Sequence, residues 1–264
     1  MVPALECSAN LHEPRHPWDS LDAGAMPAQG RAVVGGTWRS RAQQEHLAVG
    51  AFALLAYELA ADGCEPIVLD LVTRAANDEL RHMKICRRVA IAMLGKDAVP
   101  AMWRGVPKVP RHAGLKPETR VLLHVVEMCC LSETITGVYF TEMLARTTDS
   151  VVRTAIESLL EDEIDHGRVG WAYLATRARA GRVDGLAEAL PALLDRTVGR
   201  TLRDLAGALD DDASWSAFGW LGRSSGTATV RRALQEVILP GFETLGVGLA
   251  SSTAPIAQML GGPS

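Results

Sequence analysis

The sequence predicts an all-α fold: a four-helix bundle with a long crossover in the middle and additional helices after it. Two observations support this prediction. Four long segments with helical periodicity form two pairs, and a short polar turn joins the members of each pair. The second helix of each pair contains an Asp-Glu-x-x-His pattern, at residues 78–82 and 162–166. Chance would give such a pattern only about 0.02 times in a chain of this composition.

The composition indicates a globular chain that can bury a sizeable core, with 264 residues, 48% of them hydrophobic and 22% charged. A net charge of −4 and a pI near 6.0 give no indication of nucleic acid or an anionic membrane as a partner. We find no targeting signal at the start and no uninterrupted apolar run of the ~18–20 residues that a membrane span needs. Five cysteines without a Cys-x-x-Cys pair fit a reducing setting, so we expect a cytoplasmic protein.

Residues 1–36 are expected to form an irregular N-terminal arm. Prolines and glycines recur through this segment, and proline does not continue a helix. The bundle is then predicted to occupy residues 37–181.

The first helical pair is predicted over residues 38–61 and 66–95. Gly63 suits the end of the first helix, and Pro66 suits the first turn of the second. The turn between the two helices is therefore centred near residue 63 or 64.

A segment with four prolines, residues 95–117, predicts the crossover that lets a second pair pack beside the first. The second pair is predicted over residues 118–146 and 151–180. Its turn is centred near residue 148 or 149.

Residues 182–264 are expected to form additional helices that pack on the bundle within the same domain. Two amphipathic stretches, 184–209 and 227–239, are the candidate helices. An aromatic segment between them, with Trp215, Phe218 and Trp220, either packs these helices onto the bundle or serves as the lid of a pocket.

The spacing of the two repeated patterns is that of metal ligands on a helix. Residues three apart lie on one helical face, so Glu79 with His82, and Glu163 with His166, can bind a common ion. Both glutamates lie about 15 residues after a turn. In an antiparallel pair, further ligands should lie about as far before the turn, and the carboxylates found there are those of Glu45 and Glu133.

These residues resemble the pattern of the ferritin-like non-haem di-iron carboxylate proteins, in which two helices each supply a Glu and two others a Glu-x-x-His. The resemblance covers about residues 38–180. It implies that Glu79 and Glu163 bridge two metal ions, that Glu45 and Glu133 are terminal ligands, and that each histidine binds one ion. Two aspartates match the position that accepts a hydrogen bond from the second ring nitrogen of a ligand histidine; they are Asp78 and Asp162.

Four carboxylates and two imidazoles favour two iron ions, with manganese or a mixed pair as alternatives. The alternative without a metal is a buried salt-bridge network. That network is disfavoured because each uncompensated buried charge costs several kcal/mol.

A substrate pocket is predicted beside Glu133, where the same helical face carries small or mildly polar side chains. Two phenylalanines follow Glu45 and Glu133 by seven residues, and either belong to the core or flank this pocket. Gly170, four residues after the second ligand histidine, either makes room for a substrate or permits close helix packing. The pocket candidates are Cys129, Thr136, Gly137, Phe140 and Phe52.

The resemblance implies a di-iron monooxygenase that uses O₂ and an external electron donor to hydroxylate or N-oxygenate a small organic substrate, as in secondary metabolism. An additional histidine of some N-oxygenases is Leu159 here, which disfavours N-oxygenation. The alternatives are a peroxide-handling or iron-oxidising protein without an organic substrate, and a non-catalytic interaction module. The expected partners are the substrate, free or tethered to a carrier protein, an electron donor and a second copy in a homodimer, with neither nucleic acid nor membrane.

Overall fold

The computed structural model describes residues 20–105, 112, 114–248 and 259, and no β-strand occurs among them. The all-α prediction is therefore confirmed. The four long helices are α1 (Ala28–Asp62), α2 (Pro66–Leu94), α3 (Pro117–Arg146) and α4 (Ser150–Arg179). Three helical runs follow: α5 (Leu186–Leu194, Asp195–Gly199 and Arg200–Ala206), α6 (Ala213–Ser216) and α7 (Arg223–Ala233, Leu234–Ile238 and Leu239–Thr244). Short 3₁₀ turns lie at Ala23–Ala25 and Lys96–Ala98.

Helix α1 begins nearer the N-terminus than predicted, because residues 28–36 are helical and not part of an irregular arm. Pro27 lies directly before the helix. Gly35 is helical for a packing reason: a Cβ atom there would lie 2.6 Å from Leu94 Cγ and 2.7 Å from Met93 Cβ. The glycine thus lets the end of α2 approach α1. The rest of the predicted arm, residues 1–19, lies outside the described residues.

The predicted turns are where the sequence places them. Helix α1 ends at Gly63, whose φ of 71° is in the left-handed region that glycine tolerates. Helix α4 is capped by Asp149, whose carboxylate accepts hydrogen bonds from the backbone N–H groups of Val151 and Val152 at 3.0 and 2.9 Å. The four long helices therefore form two antiparallel hairpins, α1–α2 and α3–α4.

Helix α1 packs antiparallel to α3. The imidazole Nδ1 of His124 lies 2.6 Å from the Glu58 Oε2, and the guanidinium carbon of Arg41 lies 4.5 Å from the centre of the Phe140 ring. Later residues of α1 thus meet earlier residues of α3. The Glu58–His124 contact joins the two hairpins.

The middle of α3 is a π-helical stretch, Val126–Glu133. Two side chains donate hydrogen bonds to carbonyl oxygens five residues back: Ser132 to Glu127 at 3.1 Å and Thr134 to Cys129 at 3.5 Å. The stretch ends at Glu133, and such wide turns inside helices occur frequently at functional sites.

Gly170 of α4 permits close helix packing, which decides between the two interpretations of this glycine. A Cβ atom there would lie 2.7 Å from Cys129 Cβ and 2.8 Å from the backbone nitrogen of Cys130. Both cysteines are fully buried and free, and they act as small core side chains.

Within the described residues, α3 alone has the length and apolar composition to cross a membrane. Polar residues interrupt its apolar stretches, so the helix contains no uninterrupted apolar run of that length. In its most apolar window 61% is buried inside the protein, as in the central helix of a globular core.

The apolar core has two clusters, and the predicted ligands lie between them. One cluster contains Phe52, Leu55 and Leu131 together with residues of α5 and α7. The other contains Trp38 and Phe140 together with the aromatic segment, and Trp38 Nε1 donates a hydrogen bond to the Phe218 carbonyl at 3.1 Å. The helices after α4 thus pack on the first four and extend both clusters.

Candidate metal centre

The two Glu-x-x-His pairs meet in the interior. One ligand atom from each of Glu79, His82, Glu163 and His166 can be chosen so that all four lie within 4.8 Å of one another. None of these residues is more than 2% exposed. The helical spacing places both members of each pair on the inner face of α2 or α4.

Each of the two glutamates directs one oxygen toward each histidine. Glu79 Oε1 lies 3.2 Å from His166 Nδ1, and its Oε2 lies 3.6 Å from His82 Nδ1. Glu163 Oε1 lies 3.3 Å from His82 Nδ1, and its Oε2 lies 3.5 Å from His166 Nδ1. A carboxylate that faces two nitrogen donors in this way can bridge two ions, each bound by one imidazole.

Several ligand atoms have no hydrogen-bond partner within the described part of the chain. They include Nδ1 of both histidines and Oε2 of both glutamates. A buried polar atom without a partner costs about 1–3 kcal/mol, more when it is charged, so a group of four needs an explanation. A bound cation would satisfy all four, and the oxygen and imidazole donors fit iron or manganese.

Each opposite ring nitrogen faces an aspartate, Asp162 at His82 and Asp78 at His166, and the hydrogen bond is formed only at His82. His82 Nε2 lies 3.0 Å from Asp162 Oδ2, and His166 Nε2 lies 3.5 Å from Asp78 Oδ2, which is longer than a good hydrogen bond. These contacts also show that α2 and α4 run antiparallel. Because an aspartate faces Nε2 in each case, Nδ1 is the nitrogen left to bind a metal.

Asp162 is itself fixed by Arg81, a residue that sequence reasoning missed. The guanidinium of Arg81 forms an ion pair with Asp162 and donates a 2.6 Å hydrogen bond to the Ser158 hydroxyl. Arg81 lies inside the repeated pattern, directly before His82. The signal in the sequence that could have identified Arg81 is its position directly before a predicted ligand histidine.

Glu45 and Glu133, the carboxylates found by counting from the turns, flank the central four residues. Glu45 is buried, whereas Glu133 is partly exposed. The loss of solvent around each carboxyl group raises its pKa, and the charges of Glu79 and Glu163 raise both pKa values further. The structure thus groups the four central residues within reach of one ion, and the two flanking carboxylates lie outside that group but close enough to feel its charge.

The pKa values of the two central glutamates shift in the opposite direction from those of Glu45 and Glu133. Burial alone would raise the pKa of Glu79 and Glu163, but the nearby imidazoles of His166 and His82 outweigh it and lower the pKa of both carboxyl groups. Burial alone would lower the pKa of both histidines, and the surrounding carboxylates outweigh it and raise both. The central carboxylates and imidazoles thus stabilise each other's charged forms.

Comparison with known proteins assigns nothing to this chain. No protein-family model, curated protein or solved structure matches it. Its function must be inferred from the geometry of the site.

A cavity of about 630 Å³ lies between α1, α3 and α5, and none of the six candidate ligands lines it, although its lining residues Gln44 and Ser132 directly precede Glu45 and Glu133 in the chain. Of the five predicted pocket residues, Thr136 lines it. The α5 side of this cavity, including Arg200, Thr201 and Asp204, was missed because nothing in the sequence places that helix against α1.

The other predicted pocket residues lie elsewhere. Cys129 packs beneath Gly170, and the Phe140 ring lies against Arg41. The Phe52 ring centre lies 5.0 Å from that of His166, so Phe52 borders the ligands themselves. No atom lies within 4 Å of the position that a Cβ atom of Gly137 would occupy, and Gly137 does not line the cavity.

Proposed function

We propose that this protein is a ferritin-like non-haem di-iron oxygenase, which uses O₂ to hydroxylate or N-oxygenate a small organic molecule. The observation that carries the proposal is the pair of buried glutamates, Glu79 and Glu163, each directing its two oxygens to two unpartnered imidazole nitrogens. Helical proteins that activate O₂ use this donor set. The resemblance found in the sequence and the geometry of the site therefore point to the same chemistry.

Two metal ions would be held by six side chains: Glu45, Glu79, His82, Glu133, Glu163 and His166. Iron is the proposed metal, with manganese or a mixed pair as alternatives. When bound, reduced iron supplies the electrons and the coordination positions with which O₂ is activated. The reduction needs an external donor, either a protein or a small reductant.

The chain's own residues would position and protect this centre. Asp78 and Asp162 face the imidazoles on the side opposite Nδ1, and Arg81 fixes Asp162. The two apolar clusters exclude water on either side. The cavity would hold the organic substrate near the parts of α1 and α3 that carry Glu45 and Glu133.

The cavity also favours an oxygenase over the main alternative. A peroxide-handling or iron-oxidising protein needs the same ligands but has no use for an organic pocket. A volume of about 630 Å³ lies within the range of small-molecule sites, roughly 300–1,000 Å³. The substrate could be free or tethered to a carrier protein, and we propose a cytoplasmic enzyme that could act as a homodimer.

The proposal is tested by metal analysis and O₂ uptake. Protein loaded anaerobically with ferrous iron should contain two irons per chain, and its Mössbauer spectrum should convert from ferrous to ferric after an O₂ pulse. Absence of bound metal would contradict the proposal. So would two manganese ions that ignore O₂ and dismutate peroxide.

A further inference from the structure

The cavity lies on the helical segments that carry the flanking carboxylates, although none of the six candidate ligands lines it. Its α1 wall includes Arg41 and Gln44, shortly before Glu45, and its α3 wall includes Ser132 and Thr136, on either side of Glu133. A molecule in the cavity would therefore lie near the ligand-bearing parts of α1 and α3.

Arg41 is the basic side chain nearest the ligand end of this cavity. It lies one helical turn before Glu45, and its charge acts to lower the pKa of that carboxyl group. Its guanidinium carbon lies 4.5 Å from the centre of the Phe140 ring and 5.9 Å from that of Tyr139. Stacking on aromatic rings restricts a guanidinium to one orientation.

The charge of Arg41 is not neutralised by a close carboxylate in the described part of the chain. Other arginines nearby are paired: Arg203 lies 2.8 Å from Asp195, and Arg232 lies 2.9 Å from Glu142. The contacts of Arg41 are with two rings, which leaves the N–H groups of its guanidinium available to a ligand.

The remaining charged groups of the lining lie on α5. Arg200 is exposed, and Asp204 follows it by one helical turn. Hydroxyl and amide side chains line much of the remaining wall, and five apolar side chains suit the carbon body of an organic ligand. They are Ile135, Leu205, Ala208, Trp220 and Leu221.

We propose that the cavity binds a small organic acid and that Arg41 holds its carboxylate. This inference rests on the proposed function, because it names the class of substrate that the metal centre would oxidise. The planar guanidinium donates two parallel hydrogen bonds to a carboxylate, and its fixed orientation on Phe140 lowers the entropic cost of doing so. Arg41 would be a specificity-determining residue that sets the end of the substrate facing Glu45.

The test compares two probes of equal shape and different charge, cyclohexanecarboxylate and cyclohexanecarboxamide. Binding is measured by calorimetry on ferrous-loaded protein without O₂. We expect the acid to bind roughly tenfold to a hundredfold more tightly than the amide, as a hydrogen-bonded charge predicts. In Arg41→Met this preference should disappear while the iron content stays at the wild-type level, and Arg41→Gln replaces it if Arg41→Met does not fold.

Arg203→Met is the matched control, because it removes an exposed arginine of α5 that does not line the cavity and should keep the preference. Equal binding of both probes to the wild type would overturn the inference, as would no binding of either. A preference that persists in Arg41→Met would also overturn it, since the acid would then bind the metal or another residue.

Failure of this inference differs from failure of the proposed function. If the proposed function is wrong, the wild-type protein will bind no iron or will not consume O₂. Failure of the inference alone would appear as a wild-type protein with two irons and normal O₂ uptake that does not distinguish the acid from the amide.

Discussion

His82 and Asp162 belong to different helical hairpins, and yet the imidazole Nε2 of the first lies 3.0 Å from the carboxylate of the second. The reverse contact joins Asp78 to His166 at 3.5 Å. Each Asp-Glu-x-x-His pattern therefore places its aspartate against the histidine of the other pattern, not its own, and the contact at His82 is a hydrogen bond. The ligand geometry of either helix depends on the docking of both hairpins.

Replacing Asp162 with Asn should weaken metal binding by roughly tenfold to a hundredfold, because His82 loses the acceptor that fixes its ring. Competitive titration with a metal chelator measures this change. Asp165→Asn is the matched control, since Asp165 lies on the same helix but contacts Arg168 and Arg74. Equal affinities for the two variants would contradict the assigned role of Asp162.

Replacing Glu163 with Gln or His166 with Ala should leave at most one metal ion per chain and abolish O₂-dependent activity. Glu163 faces both histidines, so its loss removes a donor from both ion positions. Glu161→Gln, an exposed change on the same helix, should retain the wild-type metal content. Metal content is measured by elemental analysis, and two ions in Glu163→Gln would argue against the assigned centre.

Metal uptake should release protons. Glu45 and Glu133 have raised pKa values, as do His82 and His166, so these groups bind protons more tightly in the metal-free protein than free side chains do. Metal ligation requires deprotonated carboxylates and a free imidazole Nδ1, so apparent affinity should rise with pH. Calorimetry in buffers of different ionisation enthalpy counts the protons, and affinity that stays constant from about pH 6 to 8 would refute this prediction.

Replacing Asp62 with Ala should destabilise the fold by about 3–5 kcal/mol, because it leaves a buried arginine without its partner. Asp62 forms an ion pair with Arg177 and accepts a 2.8 Å hydrogen bond from the Tyr173 hydroxyl. Asp70→Ala is the control, because it removes an exposed ion-pair partner that lies 3.6 Å from Arg74. It should lower the free energy of unfolding by less than about 1 kcal/mol. Urea unfolding measures both, and equal losses would show that the Asp62 pair is not effectively buried.

Replacing Gly170 with Ala should cost about 1–3 kcal/mol, because the new methyl group would be forced against Cys129 and the backbone of Cys130. Gly137→Ala is the control within the same helical hairpin. It has no atom within 4 Å of the new Cβ and should be neutral or slightly stabilising. Thermal unfolding distinguishes the two, and similar melting temperatures would contradict the close packing of α3 and α4.

The helices and the donor set could be predicted from local patterns. Turn residues such as Gly63 and Pro66 determine where α1 ends and α2 begins, whereas the start of α1 at Ala28 was not predicted. A spacing of three residues determines that Glu79 and His82 share a face. The distance of each pattern from its turn was enough to find Glu45 and Glu133, because two antiparallel helices rise by equal amounts on either side of a turn.

Contacts between distant helices required the tertiary structure. The sequence did not show which aspartate serves which histidine, nor that Arg81 fixes Asp162. The cavity was predicted only in part, because its α5 wall depends on how a later helix packs on α1 and α3. The π-helical stretch that ends at Glu133 was also missed, since a five-residue hydrogen bond leaves no simple periodic signature.

The sequence by itself therefore determined the helices, their pairing in hairpins and the six candidate ligands, all of which follow from intervals along the chain. Only the tertiary structure decided that the two patterns support each other and that a cavity containing Arg41 adjoins them. The physical reason is that helical spacing acts over a few residues, whereas packing between hairpins joins residues about 80 positions apart, such as His82 and Asp162.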